Sequence, residues 1–208
     1  MWTLAFALLG LLTATVAVLL LRPTASPRRV KNPDVPAAVA RTNLVLYAGR
    51  LCMAGQTNAF TGLMIEHAAT GSLRSRSSIS NGLLQGLSEG WHTNGQLQVA
   101  EHFKEGVSHG IRTKWYVDGT KLSEAMIVDG RLNGSFRRWY ETGALAEEVE
   151  MKSGEPDGIA KAYFPNGSLK SQATLQRGKV VDQKFWKNGE SKEEAAEITT
   201  TSASSESP

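Results

Sequence analysis

The sequence predicts an all-β fold, an elongated antiparallel β-meander of stacked hairpins preceded by one N-terminal transmembrane helix. Three observations lead to this prediction: glycines recur every 24 residues, turn dipeptides separate segments of strand length, and a charge-free apolar segment opens the chain. A fixed internal period of this length indicates a stacked repeat architecture. The glycine columns are Gly62, Gly86, Gly110, Gly134 and Gly158; Gly71, Gly95, Gly119, Gly143 and Gly167; and Gly82, Gly106, Gly130, Gly154 and Gly178.

Each repeat holds two segments that are long enough for a short strand and that end at Asp-Gly, Asn-Gly or Thr-Gly steps. These steps supply the positive φ that tight hairpin turns require, as at Asp118-Gly119 and Asp129-Gly130. One repeat is therefore predicted to be one β-hairpin. Eleven or so strands would give a twisted sheet roughly 50 Å long, at about 4.8 Å per strand. The predicted structural positions of the central repeats are Gly110, Trp115, Gly119, Gly134, Trp139 and Gly143.

Strand parity predicts which columns share a face. Successive side chains of a strand point to opposite faces, and the period is even, so each column stays on one face. Odd-numbered Ile111, Trp115, Ala125 and Ile127 are then expected to form an apolar stripe. The even-numbered residues expected on the other face are Arg112, Lys114, Glu124, Arg138 and Lys170, together with Tyr116, Tyr140 and Phe164.

The predicted organisation has four parts. Residues 2–21 are a transmembrane anchor, 22–40 a Pro-rich basic linker, 41–190 the repeat array and 191–208 a disordered tail. Within the array, the units are a capping hairpin 41–61, repeats 62–85, 86–109, 110–133, 134–157 and 158–181, and a cap 182–190. In that last cap, Asp182 stands where the other copies have a glycine.

The unit, with Gly-(x)4-Trp-Tyr-(x)2-Gly at its centre, resembles the MORN repeat in the variant form found in bacterial proteins. The lead-in Phe60-Thr61-Gly62, preceded by Leu46-Tyr47, is similar to the YwqK family of toxin–antitoxin antitoxins. The resemblance implies an elongated β-meander, no catalysis, and contact with protein or lipid. The antitoxin label further implies a toxin partner. The first copy departs from the pattern at His67 and Ala68, where the aromatic pair is missing.

Residues 2–21 contain no charge and are about long enough to span a bilayer as a helix. An uncleaved anchor is the preferred interpretation, and a cleaved signal peptide the alternative. The positive charges at Arg22, Arg28, Arg29 and Lys31 follow the apolar segment, which favours a single-pass membrane protein with a cytoplasmic repeat domain. A periplasmic or exported domain is the alternative.

The net charge of +3 arises beside this segment, because residues 1–50 carry six Lys or Arg against Asp34 alone. Residues 51–180 carry fourteen basic against thirteen acidic residues, so the array lacks the basic surface of a nucleic-acid-binding protein.

No catalytic, cofactor, metal or small-molecule site is predicted. His67 and His92 occupy aromatic columns, Cys52 is the only cysteine and reads as a small buried hydrophobe, and no phosphate-binding glycine loop is present. The alternating Glu147, Glu148 and Glu150 read as a solvated strand face.

A protein partner is predicted along the face that carries Tyr116, Tyr140 and Phe164 with Arg112, Lys114 and Arg138. Arg137 is a further basic neighbour. Aromatic and arginine side chains contribute most of the energy of protein interfaces. The alternative is that these rings pack on neighbouring turns. The competing functions are membrane-lipid association and neutralisation of a toxin.

Overall fold

The structure is a computed structural model that describes residues 38–189. The predicted anchor at 2–21, the linker up to residue 37 and the tail from 191 lie outside this range. Within 38–189, no helix has the length and apolar character needed to cross a membrane. The elements are β1 (Ala38–Ala40), a 3-10 turn (Arg41–Asn43), β2 (Leu44–Tyr47), β3 (Arg50–Met53), β4 (Gly62–His67), β5 (Leu73–Ser80), β6 (Leu83–Trp91), β7 (Leu97–Lys104), β8 (Val107–Trp115), β9 (Lys121–Val128), β10 (Arg131–Trp139), β11 (Leu145–Lys152), β12 (Glu155–Tyr163), β13 (Leu169–Gln176) and β14 (Lys179–Phe185).

Twelve of these strands form one sheet, in the order β1 and then β4 to β14, and from β4 onwards each strand lies next to the one that follows it in sequence. The predicted all-β meander of hairpins is confirmed. All pairs from β4 onwards are antiparallel; β1 pairs with β4 in parallel, with Ala38 opposite Leu63. The first repeat forms its hairpin from Gly62↔Ile79 to His67↔Leu73 although it lacks the aromatic pair. Ala38–Ala40, placed in the linker from the sequence, thus begins the sheet.

Two rows of turns border the sheet. One row, which we call the hairpin-turn edge, lies within the repeats and contains Gly71, Gly95, Gly119, Gly143 and Gly167. The other row joins one repeat to the next through two-residue turns with both residues at positive φ, as at Asp129 (48°) and Gly130 (78°). This pair of dihedrals is the hairpin turn whose twist matches that of the strands. The Gly130 N–H donates to the carbonyl of Ser108 (2.9 Å), so each turn also rests on the preceding one.

The first glycine column marks an irregularity inside a strand and is not a turn. In β10 the pairing shifts between Leu132↔Ile127 and Phe136↔Ala125, and Gly134 lies in that interval with φ 97°. Such a bulge accommodates extra residues on one strand of the pair. Glycine is favoured there because it readily adopts positive φ. A shift of this kind recurs around Gly86, Gly110 and Gly158.

The prediction that Ile111, Trp115, Ala125 and Ile127 form one apolar stripe is wrong. The pairs between β8 and β9 are Gly110↔Ile127, Ile111↔Met126 and Arg112↔Ala125. Directly paired residues share a face, so even-numbered residues of β8 lie with odd-numbered residues of β9. Ile127 is 2 % exposed, whereas Ile111 is 48 % exposed on the opposite face. The sequence period keeps each column on one face, but it does not specify how the hairpin turn relates the two strands of one repeat.

We name the two faces by their columns. The isoleucine face carries Ala125 and Ile127, and with them Arg112, Lys114, Phe136 and Arg138. The tryptophan face carries Thr113, Glu124 and Arg137, and strand alternation places Trp115 and Trp139 there too. The tryptophan column is therefore separated from Ala125 and Ile127 by the sheet.

The hairpin β2–β3 forms a separate two-stranded sheet beside the turn at Asn81 and Gly82, the first turn that joins one repeat to the next. The Leu51 N–H donates to the carbonyl of Gly82 (2.9 Å), and the Gly82 N–H donates to the carbonyl of Phe60 (2.8 Å). Leu44 and Cys52 are buried, at 3 % and 1 % exposure. Cys52 therefore occupies the buried position expected of a small hydrophobe.

Candidate partner surface at the hairpin-turn edge

The second aromatic column forms a ladder of side-chain-to-backbone hydrogen bonds. The Tyr116 hydroxyl donates to the carbonyl of Trp139 (2.9 Å), and the Tyr140 hydroxyl donates to the carbonyl of Tyr163 (2.8 Å). His92 occupies the same column one repeat earlier, and its Nε2 lies 3.0 Å from the carbonyl oxygen of Trp115. Since a carbonyl can only accept, this contact requires a proton on Nε2. Each ring thereby fixes the next hairpin turn.

Phe164 continues the column without a hydroxyl, so the ladder ends at Tyr163. The Lys170 ammonium lies 5.8 Å from the Phe164 ring centroid, within the range of a cation–π contact. The rings of Tyr116, Tyr140 and Phe164 are all half-buried. They are thus held by the array while part of each remains accessible.

The three basic residues of the candidate surface share the isoleucine face with these tyrosines, and two of them are already paired. Arg138 donates to Glu147 Oε2 (2.7 Å) across the β10–β11 pair, and Arg112 is hydrogen-bonded to Glu101. The hydrogen bond with Glu147 raises the pKa of Arg138 above its ordinary value, against a smaller opposing effect of burial. These two guanidinium groups are neutralised within the sheet.

Lys114 differs from both arginines. It is exposed, it lies opposite Val99 and Ser123, and it makes no ion pair with any described residue. Arg137, in contrast, lies on the tryptophan face, 3.8 Å from Glu148. The structure therefore brings Tyr116, Tyr140 and Arg138 together, leaves Lys114 as the unpaired cation beside them, and places Arg137 on the other side.

A groove runs along the hairpin-turn edge next to Tyr116. Val117, the first residue of the turn to face solvent, is 59 % exposed. The apolar residues of the groove include Val99, Val117 and Leu122, and its charged groups are Lys114 and Glu141. Its lining residues are His92, Gln98, Val99, Lys114, Trp115, Tyr116, Val117, Leu122 and Glu141. An apolar floor with a few charged groups suits one side chain of a partner.

The tryptophan face carries a polar cluster around Glu148, a residue that the sequence pattern predicts to be a solvated carboxylate. Glu148 accepts from Lys161 Nζ (3.1 Å) and from the Tyr163 hydroxyl (2.9 Å). The Lys161 hydrogen bond lowers the pKa of Glu148, and the Tyr163 bond and nearby positive charges lower it further, against the effect of burial. Burial, followed by the Glu148 hydrogen bond and charge, raises the pKa of Tyr163 to about 12. The strand register would have revealed this cluster, because it sets Glu148 opposite both Arg137 and Lys161.

His92 and His109 lie at opposite edges of the sheet. His109 contacts Asp129 (3.2 Å), at the two-residue turns, while His92 belongs to the ladder at the other edge. Residues 38–189 contain no group of three or more His, Cys, Asp or Glu placed to hold a metal ion.

The repeats match a known family model. The model for the MORN repeat variant matches residues 84–105, 132–153 and 156–176. Three segments of the chain are thus similar to the MORN repeat variant. Each matched segment begins on an opening strand, β6, β10 or β12, and ends at or just after the closing strand that pairs with it. The MORN unit and the hairpin repeat therefore coincide.

Two other comparisons add little to the MORN assignment. No curated protein matches the chain at a significant level. Among solved structures, S. aureus TarM matches 46 % of this chain at 13 % identity and a TM-score of 0.31, in a variant complexed with fondaparinux, alpha-GlcNAc-glycerol and UDP. A second TarM structure matches 47 % at 11 % identity and a TM-score of 0.32. The chain spans 19 % of either TarM chain. Likenesses this low carry no argument about the MORN array.

Proposed function

We propose that the MORN array is a non-catalytic module that binds a protein partner at the groove beside Tyr116, and that residues 2–21 tether it to a membrane. The observation that supports this most is the combination of an unpaired, exposed Lys114 with exposed Val117 and half-buried Leu122 in one groove. Exposed apolar surface beside an unneutralised charge is typical of a recognition site.

The groove selects for chemistry of a particular kind. An apolar side chain of the partner would pack against Val117 and Leu122, and a carboxylate next to it would pair with Lys114. Glu141 on the same groove would disfavour a second carboxylate and favour a basic or amide group. The partner segment is therefore expected to combine an apolar residue with an acidic one.

The tyrosine ladder makes this groove rigid before binding. The bonds from His92 and Tyr116 to the backbone of successive repeats fix the turn that carries Val117. A surface ordered in advance loses less conformational entropy on association. In this proposal, the tyrosines support the partner site and contribute only the exposed part of their rings to it.

The non-catalytic character is part of the proposal. Several titratable groups of the sheet form cross-strand ion pairs, such as Arg138 with Glu147 and Arg76 with Glu89 (2.5 Å). Pairs of this kind stabilise strands in register and do not activate a nucleophile.

The experiment is capture of partners by the full chain from its own membranes, with two groove variants and one matched control. Lys114→Glu and Val117→Asp should each lose the partner, since a residue central to an interface commonly contributes about 2 kcal/mol or more. Lys104→Glu is the control, because Lys104 is equally exposed but lies at the two-residue turns.

Equal capture by all three variants would overturn the proposed site. If the captured protein is a small toxin encoded beside this chain, the partner is defined as the toxin that the family resemblance implies. Binding to liposomes that Lys114→Glu abolishes and Val117→Asp leaves intact would instead show lipid association through charge.

A further inference from the structure

The last strand of the sheet presents a free edge. β14 pairs with β13 on one side, and no described residue pairs with its other side. All its residues are exposed, including Val180 at 53 %, Val181 at 54 % and Phe185 at 69 %. A row of unpaired backbone N–H and C=O groups beside apolar side chains is a template for another strand.

Asp182 and Lys184 are two of the three charged residues of this edge strand, and Lys179 is the third. Asp182 stands in the column where five repeats have glycine, and Lys184 follows two residues later. Their cross-strand neighbours in β13 are Thr174 and Gln172, and neither charge forms an ion pair with a described residue. The register places Asp182 and Lys184 on one face and Val180, Gln183 and Phe185 on the other, and Val181 is the extra residue of a bulge between Val180 and Asp182.

We propose that a second copy of this chain pairs with β14 through an antiparallel β14–β14 contact, with Gln183 on the two-fold axis. In this register, Asp182 lies opposite Lys184 of the second copy, and the symmetric pair repeats the contact. Such an interface is isologous, as in most homodimers. Opposite charges directly across strands are stabilising.

The charges also exclude the neighbouring registers. In a continuous sheet, directly paired residues lie on the same face. The symmetric register can therefore change only in steps that move the two-fold axis from one residue to the next. With the axis at Asp182, the two Asp182 side chains face each other; with the axis at Lys184, the two lysines do. Like charges directly opposite destabilise strand pairs. The charges of Asp182 and Lys184 therefore select one symmetric register.

Charge swapping on the full chain, kept in mild detergent, tests the pairing. Light scattering should give the mass of two chains for the wild type. Asp182→Lys and Lys184→Asp each place like charges opposite one another and should raise the dimer dissociation constant at least about tenfold. The double variant Asp182→Lys with Lys184→Asp restores opposite charges and should restore the dimer.

A cysteine pair provides a second measurement. Gln183→Cys places two thiols across the axis and should form a disulfide-linked dimer under mild oxidation, whereas Lys179→Cys should not, because its two copies would lie about 26 Å apart along the strands. Cys52 is buried and present in both variants.

A monomeric wild type overturns the proposal. So does a dimer that ignores the single charge swaps, because its contact would lie elsewhere. A full chain that is monomeric but dimerises when cut after Gly189 would show that its own residues 190–208 cover the edge, and this result also excludes the second copy as the occupant.

Discussion

The hydroxyl of Tyr116 donates a hydrogen bond of 2.9 Å to the backbone carbonyl of Trp139, which lies 23 residues further along the chain. The contact joins two hairpin turns that do not follow each other directly in sequence. Tyr140 repeats it one period later. Because a stacked array is stabilised mainly by interfaces between neighbouring repeats, these bonds act where such a fold is weakest.

We expect Tyr116→Phe to destabilise the array by about 1 kcal/mol, because it keeps the ring and removes only the hydroxyl bond. Tyr140→Phe should give a similar loss. The measurement is the midpoint of chemical unfolding followed by circular dichroism. Tyr47→Phe is the control, since Tyr47 is 54 % exposed and outside the ladder. If Tyr116→Phe behaves like Tyr47→Phe, the ladder does not contribute to stability.

A pair of glycines reports how the β2–β3 hairpin docks. Gly82 and Gly178 have φ of +75° and +76° at the same turn position, but a Cβ at Gly82 would lie 2.6 Å from Arg50 Cβ, whereas Gly178 has open space. Both alanine variants incur a left-handed backbone cost of about 1 kcal/mol. Gly82→Ala should lose at least about 1 kcal/mol more, from overpacking.

The comparison uses the same unfolding measurement for both variants. Gly178→Ala is the internal control for backbone strain, so only the difference between the two is informative. Equal losses would mean that Arg50 and Leu51 move away from the first turn at no cost, and that the hairpin does not pack there in solution.

The turns of this fold were predictable from the sequence because their determinants are local. Asp129-Gly130 supplies positive φ by its own chemistry, and the glycine period sets the number of hairpins. The face assignment was not predictable in the same way, since it depends on how many residues each turn and bulge leaves unpaired. The turn between β8 and β9 sets Arg112 opposite Ala125, so residues of unequal parity share a face.

The candidate site likewise has features that the sequence predicts and features that it does not. Sequence parity placed Tyr116, Tyr140 and Arg138 on one face, and they do share one. The acceptor of each hydroxyl is a backbone carbonyl of another repeat, which has no sequence signal. His92 was recognised as a member of an aromatic column, but its polar role follows only from the stacking distance between repeats.

The membrane tether leads to a prediction outside the described residues. We expect full-length protein, with a mass that includes Trp2, to remain in the membrane pellet after carbonate extraction, because residues 2–21 are long and apolar enough to span a bilayer. A chain cut before residue 38 should leave the pellet and serves as the control. A mature chain that begins near Ser26 and is soluble would show a cleaved signal instead.

Glu148 should contribute to stability in a defined pH range. Its pKa is lowered in the folded chain from the ordinary value of 4.5, chiefly by the hydrogen bond with Lys161. The stabilisation is therefore fully present above about pH 4.5 and is lost as the pH falls towards the lower folded value. Glu148→Gln should be less stable than wild type at neutral pH, and the difference should shrink on acidification. A difference that stays constant with pH would contradict this.

Tyr163 should act at the opposite end of the pH scale. Its pKa is raised to about 12 by burial and by Glu148, from an ordinary value of 10.0. A raised pKa means that the neutral phenol stabilises the fold fully below pH 10, and that this contribution disappears as the pH rises from 10 towards 12. Tyrosinate absorbance of the folded wild type should include a step near pH 12 that Tyr163→Phe removes. Glu148→Gln should shift this step towards pH 10, because the carboxylate charge is gone while much of the burial remains. If the step stays at the same pH in Glu148→Gln, burial alone sets the pKa and the Glu148–Tyr163 contact is not made in solution.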